Sequence, residues 1–199
     1  MIHVDAMPEP AMFDAKVRQK GLDFLRKKGI DLSLPLPPKT HIKPCWRSCL
    51  DDLYESYNGT CAYLCLFFER VTGGGSVDHF IAKSKRADLA YEWSNYRLAC
   101  TAMNSRKCSF DDVLDPFEIE DGWFHMEFFI GQIYPNPELP QDQRHQVAAT
   151  IKRLGLDDDE NRKMRLRHFR YYYEDHWDEI YLKKASPFVW YEAWRQGLL

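Results

Sequence analysis

The apolar positions of the chain change spacing several times, and each change predicts an element. Residues 11–28 (AMFDAKVRQKGLDFLRKK) repeat apolar side chains at helical intervals, which predicts an amphipathic helix with Phe13, Val17, Leu22 and Leu25 inward and Gly29 as its cap. Residues 33–39 (SLPLPPK) break that rhythm with three prolines and predict a stiff, extended connector. A second helix is expected over 46–57, ended by the turn dipeptide Asn58-Gly59. Residues 61–68 (CAYLCLFF) are continuously apolar, as in a buried strand or short helix, and Gly73-Gly74-Gly75 ends the run.

Beyond the glycines, 76–81 (SVDHFI) and 96–100 (YRLAC) read as short strands, and 104–107 (NSRK) as the opening of a helix. Turn signals at Asp115-Pro116, Gly122 and 134–140 frame a hairpin with 123–130 as one strand. Helices are expected over 143–154, 160–183 and 187–195, with Pro187 suited to a first turn. There is no internal repeat. The expectation is an α+β protein in three segments. Residues 1–56 form a helical arm with its Pro-rich connector, 57–115 a central core, and 116–199 a hairpin with C-terminal helices.

Composition adjusts this picture in three ways. With 45% hydrophobic and 15% aromatic residues, 199 residues can bury a sizeable core, which argues against disorder. No apolar run approaches the roughly 20 residues of a membrane helix, and the opening stretch MIHVDAMPEP lacks the features of a secretion signal. A cytoplasmic protein without a membrane partner is therefore expected, its six cysteines being thiols or metal ligands rather than disulfides. The net charge of −3 argues against a generally basic nucleic-acid coat, but the charge is uneven. Residues 79–107 carry six basic side chains against two acidic ones, whereas 109–142 carry nine acidic and no basic ones. Any phosphate-binding surface must be local, and the acidic stretch is expected to lie away from nucleic acid.

The chemistry concentrates between Val77 and Lys107, in VDHF, NYRLAC and NSRK. Cutting a phosphodiester needs a base for water, a cation for the scissile phosphate and leaving oxygen, and a support that fixes the base's tautomer. His79 is a candidate base. Asp78 and Asn104 offer hard oxygen ligands suited to Mg²⁺ or Mn²⁺, and Asn95 could hold the loop that orients His79. Neighbours in a regular strand point to opposite faces, so Asp78 and His79 can share one phosphate only if the strand ends or bends there. Lys83, Lys85, Arg106 and Lys107 are candidate phosphate contacts, with a solvated charged face as the plain alternative.

This stretch resembles the HNH nuclease motif, whose fold is the strand–strand–helix ββα-metal core. The resemblance implies Asp78 and Asn104 as metal ligands, His79 as general base and Asn95 as the orienting residue. The segments YNGTCAY, VLDPF, GWF and TIKRLGLDDDENRKMRLR extend it over about 57–167 and resemble a subgroup, the small HNH proteins of Septu-type and retron-linked anti-phage defence. Those act beside an SMC-like ATPase, which implies a separate ATPase partner here, as the chain has no Walker motif of its own. The implied function is a metal-dependent endonuclease acting on DNA, RNA being the alternative substrate. The rival reading is a catalytically dead nucleic-acid-binding or assembly subunit.

One departure concerns zinc. Many such proteins carry paired CxxC motifs, but Leu64 follows Cys61 and Met103 follows Cys100 at the second positions. Cys65 and Cys108 could complete a four-thiolate zinc site with unusual spacing. Cys45 and Cys49 read instead as neighbours on one helix face. His168 and His176, with Arg165, Arg167, Arg170 and Tyr171 to Tyr173, form a basic-aromatic stretch that could add nucleic-acid contacts, although such helices more often pack their rings and solvate their arginines.

Overall fold

The computed structural model describes all 199 residues, the side chains at positions 72 and 73 excepted. In chain order, a π-helical turn (Asp14–Arg18) continues into α1 (Gln19–Lys27), and a 3-10 turn (Cys45–Cys49) into α2 (Leu50–Ser56). Then come β1 (Thr60–Cys61), β2 (Leu66–Phe67), α3 (Arg70–Gly73), β3 (Gly75–His79), β4 (Tyr96–Cys100) and α4 (Thr101–Lys107). The chain ends through β5 (Phe124–Met126), β6 (Ile133–Pro135), α5 (Gln141–Leu154), α6 (Asp159–Tyr173), α7 (Glu179–Ala185) and α8 (Pro187–Arg195). The architecture is α+β, its strands forming antiparallel pairs β1–β2, β3–β4 and β5–β6. Among the described residues no helix is long and apolar enough to cross a membrane.

The residues group into two compact units, and the grouping differs from the three-segment expectation. One unit comprises residues 6–59 with 68–111, so the N-terminal arm belongs with the central strands. The other comprises residues 1–5, 60–67 and 112–199.

In the first unit β3 and β4 pair in register from Gly75 opposite Cys100 to His79 opposite Tyr96, with α4 following directly. The opening helix buries Phe13, Val17 and Leu25, as its apolar spacing predicts, but Leu22 is only half-buried and Gly21 takes the inward place. The π-turn explains the change. It holds more residues per turn than an α-helix, so a strict four-residue stripe of Phe13, Val17, Gly21 and Leu25 faces inward. Phe13 meets Trp93 and Tyr96 edge-on at 5.5 and 5.8 Å. The Asn58-Gly59 turn forms as expected, both residues having positive φ.

In the second unit the apolar run 61–68 is neither one strand nor a helix. Cys65, with φ +50°, turns it back on itself, and β1 pairs with β2. The expected strand at 123–130 shortens to β5. The single helix expected over 160–183 is two, because His176 adopts φ +59° and Asp178 caps a new start, its Oδ1 accepting from the Ile180 N–H at 2.6 Å. Arg165 was a candidate for nucleic-acid contact. It is instead buried, its guanidinium donating to the carbonyls of Gly131 and Leu156 at 2.7–3.0 Å. Glu192, fully buried in α8, accepts from the Met126 N–H at 2.6 Å and pairs with Arg195 at 2.8 Å.

Gly21 makes the tightest helix contact of the first unit. A Cβ there would stand 2.2 Å from Cγ of Tyr91, whose hydroxyl is held on the Lys43 carbonyl at 2.8 Å. Gly21→Ala gains up to about 1 kcal/mol of helix propensity but must displace a ring anchored at its far end. The expected net result is destabilisation of about 1–3 kcal/mol, read as a lowered denaturant midpoint with unchanged slope.

Candidate active site

β3 runs out at His79, and the end of the strand resolves the facing problem posed by two adjacent site residues. Asp78 and His79 both line one cavity of about 500 Å³, together with Asn104 from α4 and Lys83 from the loop after β3. Part of the remaining lining comes from a stretch of the chain with no catalytic signature in its sequence. The Pro-rich connector supplies Leu36, Pro37, Pro38 and Ile42, and the 3-10 turn supplies Trp46. The connector is extended with turns, as its prolines suggest, and is tied to the loop after β3 by the Leu36 N–H donating to the Ser84 carbonyl at 3.0 Å.

His79 is held by its surroundings in a single state. Its Nε2 lies 2.9 Å from the Ala90 carbonyl, which can only accept, so Nε2 carries the proton. The Tyr96 hydroxyl donates to the same carbonyl at 2.9 Å. The ring packs edge-on against Trp46 at 4.7 Å and Tyr96 at 5.0 Å and is 6% exposed. Burial, with the Lys83 charge adding to it, pushes the pKa down to about 3, so the imidazole is neutral near pH 7. Nδ1 therefore bears a lone pair.

Asp78 is almost wholly buried, and so is Lys107 at the end of α4. The Lys107 ammonium lies 3.2 and 3.4 Å from the two Asp78 oxygens and donates to the carbonyls of His79 at 3.0 Å and Phe80 at 2.8 Å. Sequence reasoning placed Lys107 among the phosphate contacts. Its ammonium instead joins α4 to the end of β3, out of reach of a polynucleotide backbone. The Phe80 ring meets two cations, Arg97 at 5.1 Å and Lys107 at 5.3 Å.

The two asparagines divide their work. Asn95 is buried, and its amide closes the loop after β3: Oδ1 accepts from the Ile81 N–H at 2.8 Å, while Nδ2 donates to the carbonyls of Ile81 and Leu89 at 3.0 and 3.1 Å. It is a positioning residue and lines no part of the cavity. Asn104 donates through Nδ2 to Ser76 Oγ at 3.0 Å and the Val77 carbonyl at 3.4 Å, so Oδ1 is the atom left for a ligand.

The other expected basic contacts separate. Lys83 stays with the cavity, its ammonium 5.2 Å from the Trp46 ring centre and its pKa lowered by desolvation. Lys85 pairs with Asp111, so the acidic stretch reaches this unit after all, and Arg106 is exposed on α4 outside the cavity. Among the described residues no three His, Cys, Asp or Glu side chains gather as a metal site. Cys65 has its Sγ 3.4 Å from the Ile2 N–H, and burial pushes its thiol pKa up.

Mg²⁺ or Mn²⁺ suits a different donor set, one or two protein oxygens with water completing the shell. One carboxylate and one amide oxygen on a common cavity meet that requirement. The contacts from Lys107 to Asp78 are longer than the roughly 2.7–2.9 Å of a tight charge-assisted pair, and a carboxylate has about four acceptor positions, so Asp78 can serve both.

No protein-family model matches the chain, and no curated protein matches it. The site therefore has to be interpreted from its own geometry.

Lys107→Met removes the buried ammonium that Asp78 meets and takes a donor from the carbonyls of His79 and Phe80. A loss of about 3–5 kcal/mol is expected by chemical denaturation. Adding Asp78→Asn should recover part of that loss, because the penalty is an uncompensated carboxylate. Equal stability of Lys107→Met and wild type would refute this account of the ion pair.

Proposed function

We propose that the protein is a metal-dependent endonuclease that hydrolyses phosphodiester bonds, built on a ββα-metal core of the HNH type. Under this reading β3, β4 and α4 are the core. The observation that carries it is the meeting of Asp78, His79 and Asn104 on one cavity, with His79 kept neutral by burial and fixed in one tautomer by its Nε2 donation to the Ala90 carbonyl. Asp78 and Asn104 would hold the divalent cation, which when bound stabilises charge on the scissile phosphate and leaving oxygen.

The chain's own part follows from the geometry. Nδ1 of His79 accepts a proton from the attacking water, and the Ala90 carbonyl keeps the ring in the tautomer that can do so. A pKa near 3 makes a weak base, but burial and Lys83 set that value in an empty cavity. An entering phosphate brings the opposite charge and raises it toward the useful range. Asn95 holds the loop carrying Lys83, whose ammonium can meet a phosphate oxygen. DNA as the substrate, a role in anti-phage defence and an SMC-like ATPase partner rest on the family resemblance alone, and a cytoplasmic setting on the sequence features above.

The Asp78–Lys107 ion pair favours a second reading, a nucleic-acid-binding or assembly subunit that does not cut. Cleavage of plasmid DNA and total RNA by purified protein separates the two. The nuclease predicts cutting with Mg²⁺ or Mn²⁺ that EDTA abolishes and His79→Ala reduces by about 10²–10⁴-fold. Metal-dependent cutting undiminished in His79→Ala sinks the assignment of the base. Binding with no cutting at any metal concentration supports the second reading.

A further inference from the structure

Beside the cavity that holds His79 lies a second one of about 380 Å³, which continues past Asn104 to Arg47, Leu50 and Ser76. The two share Trp46, Val77 and Asn104, so Trp46 stands where one meets the other. Both volumes fall within the ~300–1,000 Å³ of sites that enclose small ligands, a scale suited to single nucleotides rather than a helix. We propose that the groove takes an unpaired nucleic-acid strand and that Trp46 separates the two nucleotides flanking the phosphate at Asn104. The phosphate at Asn104 is the one cut only under the nuclease reading; the strand preference stands without it.

The lining chemistry supports this occupant. The larger cavity combines apolar surface from Leu36, Pro37 and Ile42 with the polar groups of His79, Lys83 and Asn104, which suits a base on one lining and its phosphate on the other. Lys83 holds its ammonium over the Trp46 ring, 5.2 Å from its centre, a cation–π contact that a stacking base would replace as the ammonium turns to that nucleotide's phosphate. Arg47, exposed and next to Trp46 in the chain, lines the smaller cavity, and Lys39 and Lys83 line the larger, so cations reach both chambers. The platform is preformed. Trp46 packs edge-on against His79 at 4.7 Å, and the connector is stiffened by prolines and tied to Ser84. A duplex keeps its base faces stacked internally and offers only edges and phosphates, so it gives Trp46 and the proline lining nothing to pack against.

The test is fluorescence anisotropy of labelled 12-nucleotide single strands and the matching duplexes, as DNA and as RNA, with the full chain in EDTA, where cutting is suppressed. Single strands should bind at least tenfold more tightly than duplexes. Trp46→Ala should weaken them roughly five- to a hundred-fold, the range for one lost stacking platform. Trp46→Leu keeps apolar volume without an aromatic face and should weaken them similarly even if Trp46→Ala fails to fold. Trp46→Phe should stay within a few-fold of wild type. Arg47→Gln should reduce the slope of log affinity against log salt by about 0.7, one phosphate contact on a single strand. Duplexes bound as tightly as single strands, or unchanged affinity in Trp46→Leu, overturn the proposal. Strand-selective, Trp46-dependent binding without cleavage in Mg²⁺ upholds it and removes the nuclease reading, and the DNA and RNA arms name the strand.

Discussion

Lys107 carries its ammonium from the last turn of α4 to the point where β3 runs out, and there it meets one carboxylate and two carbonyls. A strand that ends inside a core leaves carbonyls without partners, and such groups are costly to bury. An Asp placed just before that end adds a buried charge. One ammonium answers both needs, so the strand can stop at His79 and the side chains of Asp78 and His79 can reach the same cavity. Without it, the carboxylate would be an uncompensated buried charge and the two carbonyls would lose a donor.

The rest of the site is built outward from that joint. Asn95 acts on the loop as Lys107 acts on the strand, giving a buried N–H and two carbonyls a partner with no neighbouring chain. The aromatic series Phe13, Tyr96 and His79, with Trp46 across the ring, passes the rigidity of the N-terminal helix to the imidazole. This is why residues 6–59 group with the central strands and not apart from them. Position and protonation of His79 are set together, because the contacts that bury the ring also keep it neutral.

The parts of this arrangement legible in the sequence are those set by local chemistry. β4 lies where its apolar run predicts, β3 begins at the last glycine of the triplet, and the charged-polar pattern of 77–107 marks the residues that meet at the cavity. What was illegible depends on partners distant in the chain. Nothing near Lys107 reveals that its ammonium will be buried against Asp78, and a lysine in a basic stretch looks solvated. Residues 33–39 look like a spacer, because prolines announce stiffness but not what they face. The break at His176 needed a residue other than glycine in the left-handed region, which composition does not advertise, although the capping Asp178 was a usable signal.

The fate of the lysines bears on how a substrate could be held. Of the four basic residues expected to meet phosphates, Lys107 is consumed inside the fold, Lys85 is paired with Asp111, and Arg106 lies outside the cavity. Lys83 alone of the four lines it, and its lowered pKa reflects the cost of keeping a cation there. With Lys83 and Lys39 as its lysines, the cavity gains little from the counterion release that dominates binding to a duplex backbone. Its affinity must come from surfaces that do not depend on charge, and the ring of Trp46 and the prolines beside it are the surfaces this cavity has. The same shortage gives physical content to the proposed ATPase partner: a subunit that brings its own basic surface would supply the long-range attraction to nucleic acid that a chain of net charge −3 lacks, leaving this cavity to select the strand and position the phosphate.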